Sequence, residues 1–369
     1  MNKLPHKIIL FFAFLGLFIV CAGWSDGVRE ERSVTPVSFN LSPHEALLIT
    51  YDTTVGTEHR YYARIYYSDG VSQQVPLISQ RALSILQQRE GNIYYLPAIG
   101  ERKQLFDNIR ELFHTTLHNG DTVYMLLNGD ISNLAIEAIP SDSDDIYLCD
   151  RYTMNRISSL QKFYHRKQSV TTERHQAILF GDMTYNDPKL KNLEGSKKAI
   201  AYNRDLFANY QLDPAYYTLS DATTEAFFSV SGRQADNILI STHGETRRQA
   251  DLSSVYELIF HDSYGIPVTE IARMDFSNIR TILVTACHSG RYDSREELCL
   301  QSAFKRAGAN SIIMHLWRTN DKAAELFMKA YYTAWLSGQT PHEAFLAAKS
   351  AVRQVMEEPL YWAGFIMLD

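Results

Sequence analysis

Apolar and polar positions follow two regimes along the chain. Up to about residue 165 the pattern is mixed. Apolar, aromatic-rich runs at 46–51 and 61–67 predict strands, and Ser68, Asp69 and Gly70 supply turn chemistry after the second. Residues 102–117 set Leu105, Ile109, Leu112, Phe113 and Leu117 at helical spacing, and 121–127 predict a further strand. From about 175 the alternation becomes regular. Strands are predicted at 177–182, 238–243, 281–287 and 311–317, with 361–368 as the closing strand. Helices are predicted between them near 194–209, 223–229, 295–307 and 321–335, with Gly308 and Gly338 as stops. Thr340 and Glu343 form a capping box with Pro341 at the first helical position, opening one more helix.

Strand alternating with helix predicts an α/β fold: a doubly wound, mostly parallel sheet with helices on both faces. A smaller α/β part over 44–165 is expected to precede a main part over 166–369. Residues 24–43 are polar, contain Pro36 and Pro43, and predict a tether.

Composition narrows the class. Of the 369 residues, 45% are hydrophobic and 21% charged, which is globular composition, and the formal net charge of −6 gives no basic footprint for nucleic acid. Lys3 and Lys7 precede an unbroken apolar run from 8 to 20, then small Ala22 and Gly23. That order predicts a secretory leader over 1–23, with the protein exported to the periplasm, secreted or retained at a membrane through residues 8–24. Cys21 raises a lipoprotein reading, against which Val20 is bulky. Beyond the leader lie Cys149, Cys287 and Cys299, an odd count with no CxxC spacing, so a metal site is not expected.

Two of the apolar runs end on reactive side chains. One is Ile-Leu-Ile-Ser-Thr-His-Gly at 238–244; the other is Thr-Ile-Leu-Val-Thr-Ala-Cys at 281–287. Ligands of open α/β sheets bind beyond the carboxyl ends of the strands, so both blocks deliver their last residues to one rim. A thiolate rather than a thiol attacks a carbonyl, and a neighbouring imidazole is what ionises it. His243 is the candidate general base and acid, Cys287 the candidate nucleophile, and the N–H groups of Gly244 and Cys287 candidate oxyanion donors.

His-Gly and Ala-Cys, each after an apolar block, resemble the signature of clan CD cysteine peptidases: caspases, gingipains, legumains and separases. The wider pattern is similar to the CHAT domain. The segments that carry this are 281–290, Ala303-Phe304 with Ala307-Gly308-Ala309, Leu316-Trp317 with Asp321, and Pro359 with Tyr361-Trp362-Ala363-Gly364-Phe365. Fainter echoes are 133–139, Gly181-Asp182 and 222–227. The resemblance implies a caspase-like fold and a cysteine endopeptidase acting on protein or peptide through a thioester, without cofactor. It also implies that Asp321 receives a basic side chain at the cleaved position, although Asp321 or Asn320 equally suits a helix cap. His288 stands where many relatives carry Glu or Gln, and the caspase form Gln-Ala-Cys-x-Gly is absent, so cleavage after Asp is not implied. Trp317 and His288 are further candidates for the cleft wall, and Asp262 and Glu270 weaker ones. A silent binding module and a thiol amidase or transpeptidase are the competing readings. Oligomeric state is left open.

Overall fold

The computed structural model describes residues 39–55, 58–87, 100–114, 117–141, 146–167, 175–248, 254–292 and 298–369. The leader expected over 1–23 and most of the linker at 24–43 lie outside the described residues. The strands are β1 (Glu45–Val55), β2 (Glu58–Tyr67), β3 (Ser72–Ser79), β4 (Thr122–Leu126), β5 (Thr153–Arg156), β6 (Ala177–Met183), β7 (Ala215–Leu219), β8 (Ala235–Ile240), β9 (His243–Arg248), β10 (Ser254–Ile259), β11 (Gly265–Pro267), β12 (Ile279–Val284), β13 (Ser311–His315) and β14 (Phe365–Leu368). Eleven of them form one sheet in the order β3-β2-β1-β4-β5-β14-β13-β12-β8-β6-β7.

The block β13-β12-β8-β6-β7 is parallel throughout, as is β1-β4-β5-β14. The hairpins β1-β2-β3 and the β13-β14 pair are antiparallel. Parallel strands are covered on both faces, and this accounts for the unbroken apolar runs: every residue of β8 and β13 is buried. Alternation along β6 shows the two layers. Phe180 points to an aromatic cluster with Phe227, Phe260 and Tyr217. Gly181 faces the other way, where a Cβ would sit 2.9 Å from both Ile200 Cγ1 and Ser196 Oγ of the helix Glu194–Asn209. That helix packs beside Asp321–Leu336, which packs in turn beside Pro341–Val355.

The predicted stops and starts are observed. Gly308 and Gly338 take positive φ of 93° and 97° after their helices, and Thr340 and Glu343 form the capping box. Three expectations change. The parallel strand ends at Ile240, and His243 instead opens β9 of a separate antiparallel sheet, β11-β10-β9. Tyr361 and Trp362 lie in the short helix Pro359–Trp362, because Pro359 at its first turn favours helix entry, and β14 begins only at Phe365. Strands β3, β5 and β7 are not expected from the pattern: Pro76 interrupts β3, β5 has one apolar residue, Met154, and β7 is a five-residue edge strand, and the sheet itself supplies their pairing.

The half before residue 165 is not an appendage. Parallel pairing of β5 with β14 joins it to the same sheet. Beside that junction Arg156 is buried and makes a bidentate pair with Glu137, Nε to Oε1 and Nη2 to Oε2 both at 2.7 Å; it also donates to the carbonyls of Ser132 and Leu134. Burial by itself raises the Glu137 carboxyl, but the Arg156 guanidinium outweighs it and holds the group down at about 2. Removing one partner of such a pair strands the other charge. Arg156→Met is expected to lower stability by roughly 3–5 kcal/mol in urea denaturation.

Candidate active site

The rim lies where β6, β8, β12 and β13 end. Parallel register matches Ile240 with Val284. One residue on, Thr285 N donates to Ile240 O at 3.0 Å, and the hydroxyls of Thr285 and Ser241 bond at 2.9 Å. The segments leading to His243 and Cys287 therefore leave the sheet side by side. They stay close beyond it: a Cβ added to Gly244 would lie 3.0 Å from Cys287 O. His243, Gly244, Cys287 and His288 are all half-buried.

The imidazole of His243 is held from two directions. Nε2 lies 2.8 Å from the carbonyl of Lys191. A carbonyl only accepts, so Nε2 carries the proton and Nδ1 is the free base in the neutral ring. The ring of Tyr185 packs on it at 5.0 Å between centroids. Tyr185 is itself fixed. Thr242 Oγ1 donates to Ile259 O, which leaves it to accept from the Tyr185 hydroxyl at 3.0 Å. Burial pushes the Tyr185 phenol up to about 12.

Cys287 is followed by a turn in which His288 adopts φ 56°. Its backbone is pinned on both flanks. Cys287 O accepts from the Tyr256 hydroxyl at 2.6 Å, and His288 N donates to Trp317 O at 3.0 Å. Gly290 N donates to His315 O at 2.9 Å, and His315 N to Ser289 Oγ at 3.0 Å. Further along the same loop, the Asn133 amide brackets the backbone of Tyr292, with Nδ2 to O and N to Oδ1 both at 2.7 Å. The other described cysteines are unlike Cys287 in placement. Cys299 is buried, and burial drives the Cys149 thiol up to about 11.

Asp321 is exposed in the first turn of Asp321–Leu336, but Asn320 caps that helix, its side chain accepting from the N–H groups of Lys322 and Ala323. Asp321 Oδ2 accepts from Gly195 N at 2.7 Å, so the carboxylate stands at the start of two helices. Trp317 is buried and its indole N–H donates to Leu360 O at 2.8 Å. Asp262 accepts from the N–H and hydroxyl of Thr224 at a helix start, and Glu270 pairs with Arg273 on the surface. Among the described residues no group of three or more His, Cys, Asp or Glu is gathered to hold a metal, and no helix is long and apolar enough to cross a membrane.

Four supporting residues escape sequence reading: Tyr185, Lys191, Tyr256 and His315. Lys191 acts through its carbonyl, which no residue type advertises. Tyr185 and Tyr256 are two tyrosines among 22. His315 leaves a trace, as a polar residue inside an apolar strand. It is fully buried between Trp317 and Phe365, and Nδ1 donates to Trp317 O at 2.9 Å.

Residues 103–369 match the model of the CHAT domain family. No curated protein is detectably similar in sequence. Among solved structures, a chain of the Saccharomyces cerevisiae separase–securin complex superposes with a TM-score of 0.56 at 8% identity, over 88% of this chain and 30% of that one. The pro- and mature domains of Porphyromonas gingivalis RgpB give 0.47 at 12% identity, over 79% and 77%. Caspase-1 from Spodoptera frugiperda gives 0.32 at 14% identity, over 49% and 76%. At such identities the likeness is one of fold.

Burial of His315 has a measurable consequence. Desolvation pushes its imidazole down to about 3, against the bond to Trp317 O, which favours the charged ring. Between about pH 6.5 and 3 the unfolded chain binds a proton that the folded chain does not, so stability falls as pH is lowered through that window. At about pH 5 this amounts to roughly 2 kcal/mol. Urea midpoints for His315→Gln are expected to fall less steeply between neutral pH and pH 5 than those of the wild type.

Proposed function

The chain belongs to the CHAT domain family, and from that premise we propose that it is a cysteine endopeptidase in which Cys287 is the nucleophile and His243 its base. The observation that carries this is the hydrogen bond of His243 Nε2 to Lys191 O. It leaves Nδ1 as the basic nitrogen of a ring whose neighbouring residue, Gly244, lies beside the Cys287 backbone.

In this reading His243 Nδ1 takes the thiol proton as sulfur attacks the scissile carbonyl. The resulting oxyanion is received by the backbone N–H groups of Gly244 and Cys287. Collapse breaks the C–N bond, the amine leaves with the proton from His243, and the acyl group remains on sulfur as a thioester. Water, deprotonated by the same imidazole, then attacks the thioester, and the thiol regains its proton as the acid departs. Asp321 accepts a basic side chain at the cleaved position: what supports this is an exposed residue in the first turn of the helix that follows β13, beyond the carboxyl end of that strand. His288 lines the mouth of the cleft. The acceptors are proteins or peptides, no cofactor takes part, and the protein works outside the cytoplasm, as the leader predicted over 1–23 implies.

Incubation with a broad peptide library, followed by mass spectrometry, tests the proposal. Wild type is expected to cleave, with Cys287→Ala and His243→Ala each at least about a thousandfold slower. Identical product profiles for wild type and Cys287→Ala would sink the peptidase reading and leave a binding module. Ligated rather than hydrolysed products would redirect it to transpeptidation. Asp321→Asn is expected to cut the preference for Arg or Lys by about tenfold or more, through the loss of a charge-assisted contact.

A further inference from the structure

We propose that Tyr256 is a positioning residue for Cys287, its hydroxyl clamping the peptide plane between Cys287 and His288 against the opposing grip of Trp317. The inference rests on the reading of Cys287 as nucleophile and adds to it what aims the sulfur.

The peptide unit is rigid, so its two ends cannot be oriented independently. Here both ends are held, from opposite neighbours. The oxygen accepts from Tyr256 on β10 at 2.6 Å, and the nitrogen donates to Trp317, the second residue after β13, at 3.0 Å. Holding that plane fixes ψ of Cys287 and φ of His288. The latter is 56°, a left-handed value that a residue with a Cβ adopts only at a cost of about 1–2 kcal/mol. Such a conformation persists when its surroundings over-determine it. Trp317 O is itself fixed, since it also accepts from the buried His315 ring at 2.9 Å. Tyr256 is the one side chain in the clamp that acts on the nucleophile's own carbonyl.

The route of the phenol explains a second residue. Tyr256 pairs across the ladder with Thr246, and Gly244 is its diagonal neighbour. A Cβ on Gly244 would lie 1.8 Å from the Tyr256 hydroxyl oxygen and 2.6 Å from Cζ. Glycine therefore follows His243 for a reason beyond oxyanion donation: only a bare α-carbon lets the phenol pass over β9 to reach Cys287 O. The His block and the Cys block are thereby joined through a tyrosine from a third strand.

The test compares wild type, Tyr256→Phe and Tyr332→Phe. Tyr332 is a buried tyrosine whose hydroxyl donates at 2.7 Å to Asn237 Oδ1 in the middle of β8, away from the rim, so its loss is structural only. Tyr256→Phe removes one oxygen and keeps the packing. Three readouts are taken: kcat and KM on a peptide that wild type cleaves, the alkylation rate of Cys287 by iodoacetamide mapped to its peptide, and the thermal midpoint. Tyr256→Phe is expected to lower kcat by about 10- to 100-fold with KM little changed, as misaimed reacting groups do, and to slow Cys287 alkylation. Tyr332→Phe is expected to lower the thermal midpoint and leave kcat and alkylation as in wild type. A kcat for Tyr256→Phe within about twofold of wild type overturns the proposal. If wild type cleaves no peptide, the peptidase reading fails separately, and an unchanged alkylation rate in Tyr256→Phe then overturns the clamp on its own.

Discussion

A buried polypeptide cannot leave its N–H and C=O groups unpaired, and that constraint builds the rim of this molecule where the strands stop. Strands β8 and β12 end inside the protein, among other chains of backbone rather than in open water. Pairing passes first to Thr285 and Ser241, whose hydroxyls bond each other. It passes next to Thr242, which serves Ile259 O and receives Tyr185. It ends on the Cys287–His288 peptide, which is met by Tyr256 and Trp317. Each step that satisfies a stranded polar group also fixes the orientation of a reactive one. The order at the rim is thus a by-product of ordinary hydrogen-bond accounting in a dry place.

The first half of the chain shares in this. Its strands continue the main sheet through β5 and β14, and its buried Glu137–Arg156 pair sits beside that junction. Asn133, from the 3-10 turn Gly129–Asn133, reaches across to bracket Tyr292, five residues after Cys287. One side of the loop carrying the thiol is therefore held by the half that precedes residue 165, and the other by β10 and β13. The loop is thus supported from several elements at once.

How much of this the residues announce differs by type of feature. Continuous apolar runs at 238–240 and 312–314 are legible because a strand buried on both faces tolerates little else. The caps at Gly308, Gly338 and Thr340 are legible because left-handed backbone and orphan N–H groups have few chemical solutions. His243 and Cys287 stand out because a reactive side chain at the end of an apolar run has an address on the fold. The turn at Ser241 and Thr242, which sends His243 into an antiparallel sheet, has no such marker. Nor do β5, with Met154 its one apolar residue, and β7, a short edge strand with no buried residue, which pair because neighbours offer them a ladder.

By itself, the sequence determined the class of fold, the family, and the two residues worth suspecting, since period, apolar run length and motif order are local properties carried by contiguous residues. The tertiary structure alone decided that Lys191 selects the tautomer of His243, that Tyr256 and Trp317 grip one peptide from two sides, and that Asp321 answers to Gly195. These are contacts between positions 29 to 126 residues apart, several made through backbone atoms that every residue possesses. No pattern along a chain can encode a bond to a carbonyl whose owner is interchangeable; only the folded path brings the two atoms together.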